Sequence, residues 1–158
     1  MAAFIPYLVF CQTLGAFIGA FTAVWSEIVY IRAMKDGRID VAERAHLDTV
    51  ARGLRFGMTL LLLSSFALVV VDYELHLPLQ PALSPSYWTL IVLALLIISI
   101  SWALSRQFIS FALGSAIIFS AWWFLAFLTA GQLPALSFGA SIAFLVVATG
   151  IFYALLQY

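Results

Sequence analysis

The chain has 158 residues, of which 65% are hydrophobic and 9% charged, whereas a soluble domain is roughly half apolar and a quarter charged. Uncharged stretches cover 1–26, 56–71, 77–105 and 107–158, and the mean hydropathy is +1.13, so lipid rather than water is the solvent of most of the sequence. The formal charge is zero, nucleic acid is not an expected partner, and the single cysteine, Cys11, excludes an internal disulfide, a Cys-x-x-Cys redox pair and a thiolate metal cage.

Apolar runs long enough to cross a hydrocarbon layer of ~30 Å, about 20 residues each, fall at 4–31, 54–73, 86–105, 107–130 and 134–156. They predict an all-α integral membrane protein, a five-transmembrane-helix bundle forming a single transmembrane domain over 1–158. The first run begins without a basic flank and is too long for a signal-peptide core, so it reads as a retained helix. It carries a stripe of small or polar residues, Gln12, Gly15, Gly19, Thr22 and Ser26, at alternating spacings of three and four. Such a stripe is a helix-packing seam, because glycine lets a neighbouring backbone approach and the hydroxyls and amide bond across the contact. The spacing leaves open whether the seam meets a helix of the same chain, another subunit or a solute path.

Glu27 lies just inside the end of the first run, one turn before Arg32, and Arg52 and Arg55 enter the second helix at the same depth. A Glu27 pair with Arg55 or Arg52 is therefore expected as a clamp, with a proton or substrate site as the alternative use of an intramembrane carboxylate. The connection between these runs, Asp36-Gly37-Arg38-Ile39-Asp40-Val41-Ala42-Glu43, has the residue types of the second half of a calcium-binding loop. Arg32 and Met34 occupy the earlier ligand positions, however, so a turn at Gly37 and a capping box from Asp40 to Glu43 account for the segment. From Val41 the pattern is helical, with Leu47, Val50, Ala51 and Leu54 on one face, which predicts a cytoplasmic helical extension over 41–53 that continues into the second span.

Asp72 and His76 end the second span and form a candidate proton-responsive pair. Pro78, Pro81 and Pro85 predict an extended surface loop after it. Ser105-Arg106-Gln107 leaves room only for a tight hairpin between the third and fourth spans, and Gly131 with Pro134 marks the next turn. Tyr and Trp residues, Trp122 and Trp123 among them, are expected near the interfaces. Six of the seven Lys and Arg residues lie between Arg32 and Arg55, and the seventh is Arg106. The positive-inside rule then puts 33–50 and the C-terminus in the cytoplasm and the N-terminus and 76–86 outside, in a multi-pass protein of the inner or plasma membrane.

Three short stretches resemble known families. Glu43-Arg44-Ala45-His46-Leu47 resembles a segment of the membrane-associated eicosanoid and glutathione metabolism proteins, which implies glutathione chemistry, although that fold has four helices. Glu43 and His46 also have the spacing of half a carboxylate di-iron site, without a second half. Gln12-Thr13-Leu14-Gly15 followed by Asp36-Gly37-Arg38-Ile39, over the first 70 or so residues, resembles the small bacterial membrane proteins of the copper-resistance D-like type. Some of those are suspected to hold haem through a histidine where this chain has Gln12, so haem b is not expected and no cofactor or metal site is read.

Three functions compete on these residues. A small transport or permeation protein, or an ion- or solute-binding bundle, would use the seam and Glu27 or Asp72. A non-catalytic membrane subunit or assembly partner, homo-oligomeric or hetero-oligomeric, would use the seam as its interface. A membrane redox or glutathione-type enzyme lacks any catalytic set that the topology brings together.

Overall fold

The computed structural model describes residues 4–36, 41–76, 81–133 and 137–156 and, within them, the side chains outside 30–48 and Pro81. These residues form five α-helices: α1 (Phe4–Asp36), α2 (Val41–Glu74), α3 (Pro85–Ser105), α4 (Phe111–Thr129) and α5 (Phe138–Leu156). Each contains a segment long and apolar enough to cross a membrane, Phe4–Val29 in α1, Thr49–Glu74 in α2, and the whole of α3, α4 and α5. The chain is an all-helical, multi-pass membrane protein. In lipid every backbone polar group must be satisfied within the segment, and a helix does this without a partner.

The helix ends follow local chemistry. Ser84 caps α3, its hydroxyl accepting from the Tyr87 N–H at 3.2 Å, and Pro85 fills the first helical position, where its missing N–H costs nothing. The preceding loop is not wholly extended as its prolines predict, since Pro81–Leu83 makes a 3-10 turn. That turn is anchored by the Trp88 indole, which donates to the Ala82 carbonyl at 2.9 Å. The α3–α4 hairpin is tight, as expected, but α4 begins at Phe111 rather than at 107. Gln107 takes a left-handed conformation (φ 58°), and its N–H and that of Phe108 turn back to the Leu104 and Ala103 carbonyls, both at 3.0 Å. Gly131 (φ 66°) ends α4, with its N–H and that of Gln132 donating to Leu128 and Phe127 at 3.2 and 3.0 Å. The fifth helix starts at Phe138, and Pro134 lies outside the described residues. So do Gly37, Arg38, Ile39 and Asp40 and the side chains of Arg32, Lys35, Glu43, Arg44 and His46, and with them the turn, its capping box and the likenesses drawn on Glu43 and His46. The continuous rod predicted from Val41 into the second span is present as α2.

Two small-residue stripes bring α1 and α2 together. A Cβ at Gly15 would lie 2.7 Å from the Leu61 nitrogen and 2.8 Å from the Gly57 oxygen, and one at Gly57 would lie 2.8 Å from the Gly15 oxygen and 2.9 Å from the Gly19 nitrogen. Only hydrogen fits at these points. Thr22 occupies the space over Gly53, where a Cβ would come 2.9 Å from its side chain. The seam of α1 is thus met by Gly53-x-x-x-Gly57 of the same chain, in antiparallel register. Helix α4 then packs on α1, on α3 and on α5, while α3 scarcely touches α2 and α5 sits on α4 at the periphery.

Trp122 corrects the interfacial reading of that residue. It is fully buried, and its ring fills the notch left by Gly19, where a Cβ would lie 2.1 Å from the ring. Counting residues from Arg106 gives its depth but not its face, and its face is the one toward α1. Trp123 belongs to an aromatic group instead, edge-on to Phe21 at 5.7 Å and tilted against Phe127 at 5.8 Å. Trp88 and Trp102, near the two ends of α3, are more than half exposed, as interfacial aromatics are.

A branched side chain at either backbone contact must separate α1 from α2. Gly15→Leu and Gly57→Leu should each lower stability by about 1–3 kcal/mol, read as thermal unfolding in mild detergent, whereas Phe66→Leu on the exposed face of α2 should change it little. Equal unfolding temperatures for all three would contradict the packing described.

Candidate functional site: the Glu27 cavity

The register of α1 against α4 is fixed at two points. Near one end the Thr13 hydroxyl donates to the Thr129 carbonyl at 3.0 Å, and near the other the Ser115 hydroxyl donates to Glu27 Oε1. The two contacts have the same spacing along both helices, as antiparallel neighbours with one rise per residue require, and Gly19 faces Trp122 between them.

Glu27 and Ser115 share a cavity of about 180 Å³ with Ser26 of α1, Leu54 of α2, Ser101 of α3 and Phe119 of α4. Four helices therefore contribute to it. Three serine hydroxyls and one carboxyl line a space otherwise walled by leucine, isoleucine, alanine and phenylalanine. Glu27 Oε2 is buried and has no hydrogen-bond partner among the described residues. A carboxylate at this depth needs a counter-charge or a proton to offset its desolvation, so the open oxygen is the chemically active point of the cavity. The surrounding hydroxyls can turn a lone pair toward a cation or an O–H toward an anion, and the carboxyl decides in favour of the cation.

The expected clamp to Arg55 is not formed. The Arg55 Nε donates to the Ala51 carbonyl of its own helix at 3.2 Å, on the exposed side of α2, and Arg52 is likewise on an exposed face. Charge and depth made these arginines the natural partners of Glu27, but the glycine contacts rotate α2 so that Gly53 and Gly57 face α1. The arginines are thereby turned outward.

The other candidates are dispersed. Gln12 Nε2 donates to the Ser65 hydroxyl across the α1–α2 seam at 2.8 Å. Gly15 and Gly19 are contact points, and Thr22 returns its hydroxyl to the Ile18 carbonyl at 2.6 Å. Asp72 and His76 do not form the proposed pair. Asp72 is 7% exposed, with Oδ1 buried and unpartnered among the described residues, whereas the exposed His76 ring contacts the Glu74 carbonyl at 3.0 Å. The chain leaves the helical path at His76 (φ 51°), which carries the imidazole away from the helix face that holds Asp72. Among the described residues no three His, Cys, Asp or Glu side chains converge.

Ser101 and Ser115 escaped the sequence reading. A serine in an apolar helix ordinarily returns its hydroxyl to a carbonyl one turn back, as Ser64 and Ser99 do here, and no spacing distinguishes one that reaches a neighbour. Gly53 and Gly57 did carry a signal, since four-residue spacing of glycines on an apolar helix mirrors Gly15 and Gly19. No family model, curated protein or solved structure matches the chain.

The Ser115 contact should be energetically coupled to Glu27, and Arg55 should not. In a double-mutant cycle on detergent-purified protein, Ser115→Ala should cost about 1–2 kcal/mol, as the loss of one hydrogen bond to a carboxyl does, and much less in a Glu27→Ala background. Arg55→Ala and Glu27→Ala should simply add. Coupling to Arg55 with additivity at Ser115 would restore the clamp.

Proposed function

We propose that this is a small transport or permeation protein that binds a small cation, or a proton, at the Glu27 cavity. The observation that carries the reading is Glu27 Oε2, buried beside serine hydroxyls and without a hydrogen-bond partner among the described residues. A buried carboxyl oxygen left unanswered is costly, and a bound cation or a proton would offset that cost. The size of the cavity suits an alkali cation with residual water, or an ammonium group with a short substituent.

The partner-subunit reading loses its main support from the fold, because the seam that an interface would have used is occupied by α2 of the same chain. Glutathione or haem chemistry gains no residue from the described side chains. For orientation, we place the end of the bundle that carries Glu27, Arg52, Arg55 and Arg106 in the cytoplasm, since the cations of the sequence gather there. A cysteine replacing Gly37, in a Cys11→Ala background, should then be inert to an impermeant thiol reagent in intact cells and reactive after lysis. Labelling before lysis would invert the assignment.

The binding reading is tested by ligand-dependent stability. Saturating methylammonium or one of the alkali cations should raise the unfolding temperature of the purified protein, with about 2.7 kcal/mol of stabilisation at a hundredfold excess over Kd. Glu27→Gln keeps an acceptor for Ser115, so it should fold normally and lose the response. A Glu27→Gln protein that responds as the parent does, or a parent that responds to none of these cations and whose proteoliposomes show no Glu27-dependent proton flux, rules the site out.

A further inference from the structure

The Glu27 cavity has a counterpart at the opposite end of the same four helices. Gln12 of α1, Ser65 of α2, Ser86 and Tyr87 of α3 and Thr129 of α4 line a second polar space, also of about 180 Å³. Gln12 and Glu27 are separated along α1 by about 22 Å at the usual helical rise, most of the thickness of a hydrocarbon layer. Helix α5 contributes to neither space.

Each end of the four helices also holds a buried carboxyl oxygen that has no partner among the described residues. At the Gln12 end it is Asp72 Oδ1; Asp72 does not line that space but follows Ser65 and Leu68 on the same face of α2, one turn further along. At the other end it is Glu27. Leu61, Leu93, Leu125 and Trp122 stand between the two spaces, each less than 2% exposed, with Ala16 and Ala20 equally buried on α1. This barrier is apolar apart from one group, the Trp122 indole N–H, which is buried without an acceptor among the described residues. The α1–α2 contact is locked at Gly15 and Gly57, whereas α3 scarcely touches α2, so the barrier can loosen by displacement of α3 without breaking the glycine seam.

We infer that the interface of α1, α2, α3 and α4 is a pathway for small monovalent cations, with a vestibule at each end, Glu27 as the acceptor in one and Asp72 as the acceptor beyond the other, and Leu61, Leu93, Leu125 and Trp122 as an apolar gate. The inference rests on the cation-binding reading of Glu27 and adds the second acceptor, the route and the gate. Acidic residues at both mouths select for cations, and a hydrophobic constriction closes a pore by excluding water.

Two measurements on the full chain test it. In a Cys11→Ala background, Ser86→Cys and Ser101→Cys should react with an impermeant trimethylammonium thiol reagent from opposite faces of oriented membrane vesicles, and Leu93→Cys from neither. In potassium-loaded proteoliposomes, Leu93→Ala should raise cation leak about tenfold by wetting the gate, and adding Asp72→Asn or Glu27→Gln should reverse much of the rise. Leu145→Ala, an equal truncation of a buried residue on α5 away from the route, should leave the baseline unchanged. A monodisperse Leu93→Ala protein that leaks no more than Leu145→Ala overturns the pathway. So does a Ser86 cysteine closed to the reagent from both faces, an outcome that needs no gate variant to fold and leaves Glu27-dependent stabilisation by cations intact. Loss of that stabilisation in the parent protein, with both vestibule cysteines labelled, counts instead against Glu27 as the binding group.

Discussion

The backbone contact between Gly15 and Gly57 is the constraint on which the rest of the bundle depends. Between lipid-immersed helices the hydrophobic effect offers no preference for one apolar face over another, so association is decided by how closely surfaces fit and which polar groups they satisfy. Two helices can approach to within van der Waals contact of their main chains only where both lack side chains, and Gly15, Gly19, Gly53 and Gly57 provide this on the two sides. The approach sets the rotation of α2. With its glycines inward, Ser65 comes under Gln12 and the arginines turn outward. Gly19 also leaves the notch that receives Trp122, and thereby sets the height of α4, which in turn brings Ser115 to Glu27.

A second economy governs the hydroxyls. Thr22, Thr59, Ser64, Ser65, Thr89, Ser99 and Thr129 all donate to a carbonyl four residues back, which hides a polar atom within the helix that carries it. Two described hydroxyls instead reach another helix. Thr13 ties α1 to the end of α4, and Ser115 donates to a carboxyl on another helix. Buried side-chain polar atoms without a partner are, among the described residues, those of Glu27, Asp72, Trp122 and Trp123.

The number, order and approximate limits of the helices were legible because hydrophobic length is a direct consequence of bilayer thickness. The α1 seam is legible as a seam, since glycine spacing has a geometric meaning, but its partner is not. On α2, Gly53 and Gly57 are interleaved with Arg52 and Arg55, whose charges point to an ion pair rather than to a backbone contact. Glu27 stands out in the sequence as a carboxyl inside an apolar run, whereas one of its oxygens is met by Ser115, a residue type whose ordinary use is local. Trp122 illustrates the remaining gap. Tryptophan at a given depth can sit at the headgroups or in the core, and only the shape of the opposite helix, here the missing side chain of Gly19, decides between them.

The peripheral place of α5 has a consequence for biogenesis and for adaptation to different bilayers. Helices enter the membrane in chain order, and α5 buries little beyond Ser141 and Leu145 against the preceding bundle. The described walls of both polar spaces include no residue of α5. Its broad lipid-facing surface, with Val146, Val147, Ile151 and Leu155 exposed, is therefore free to vary in length and bulk with the thickness and order of the surrounding acyl chains. Lipid composition can be accommodated at α5 while the chemistry of the other four helices stays fixed.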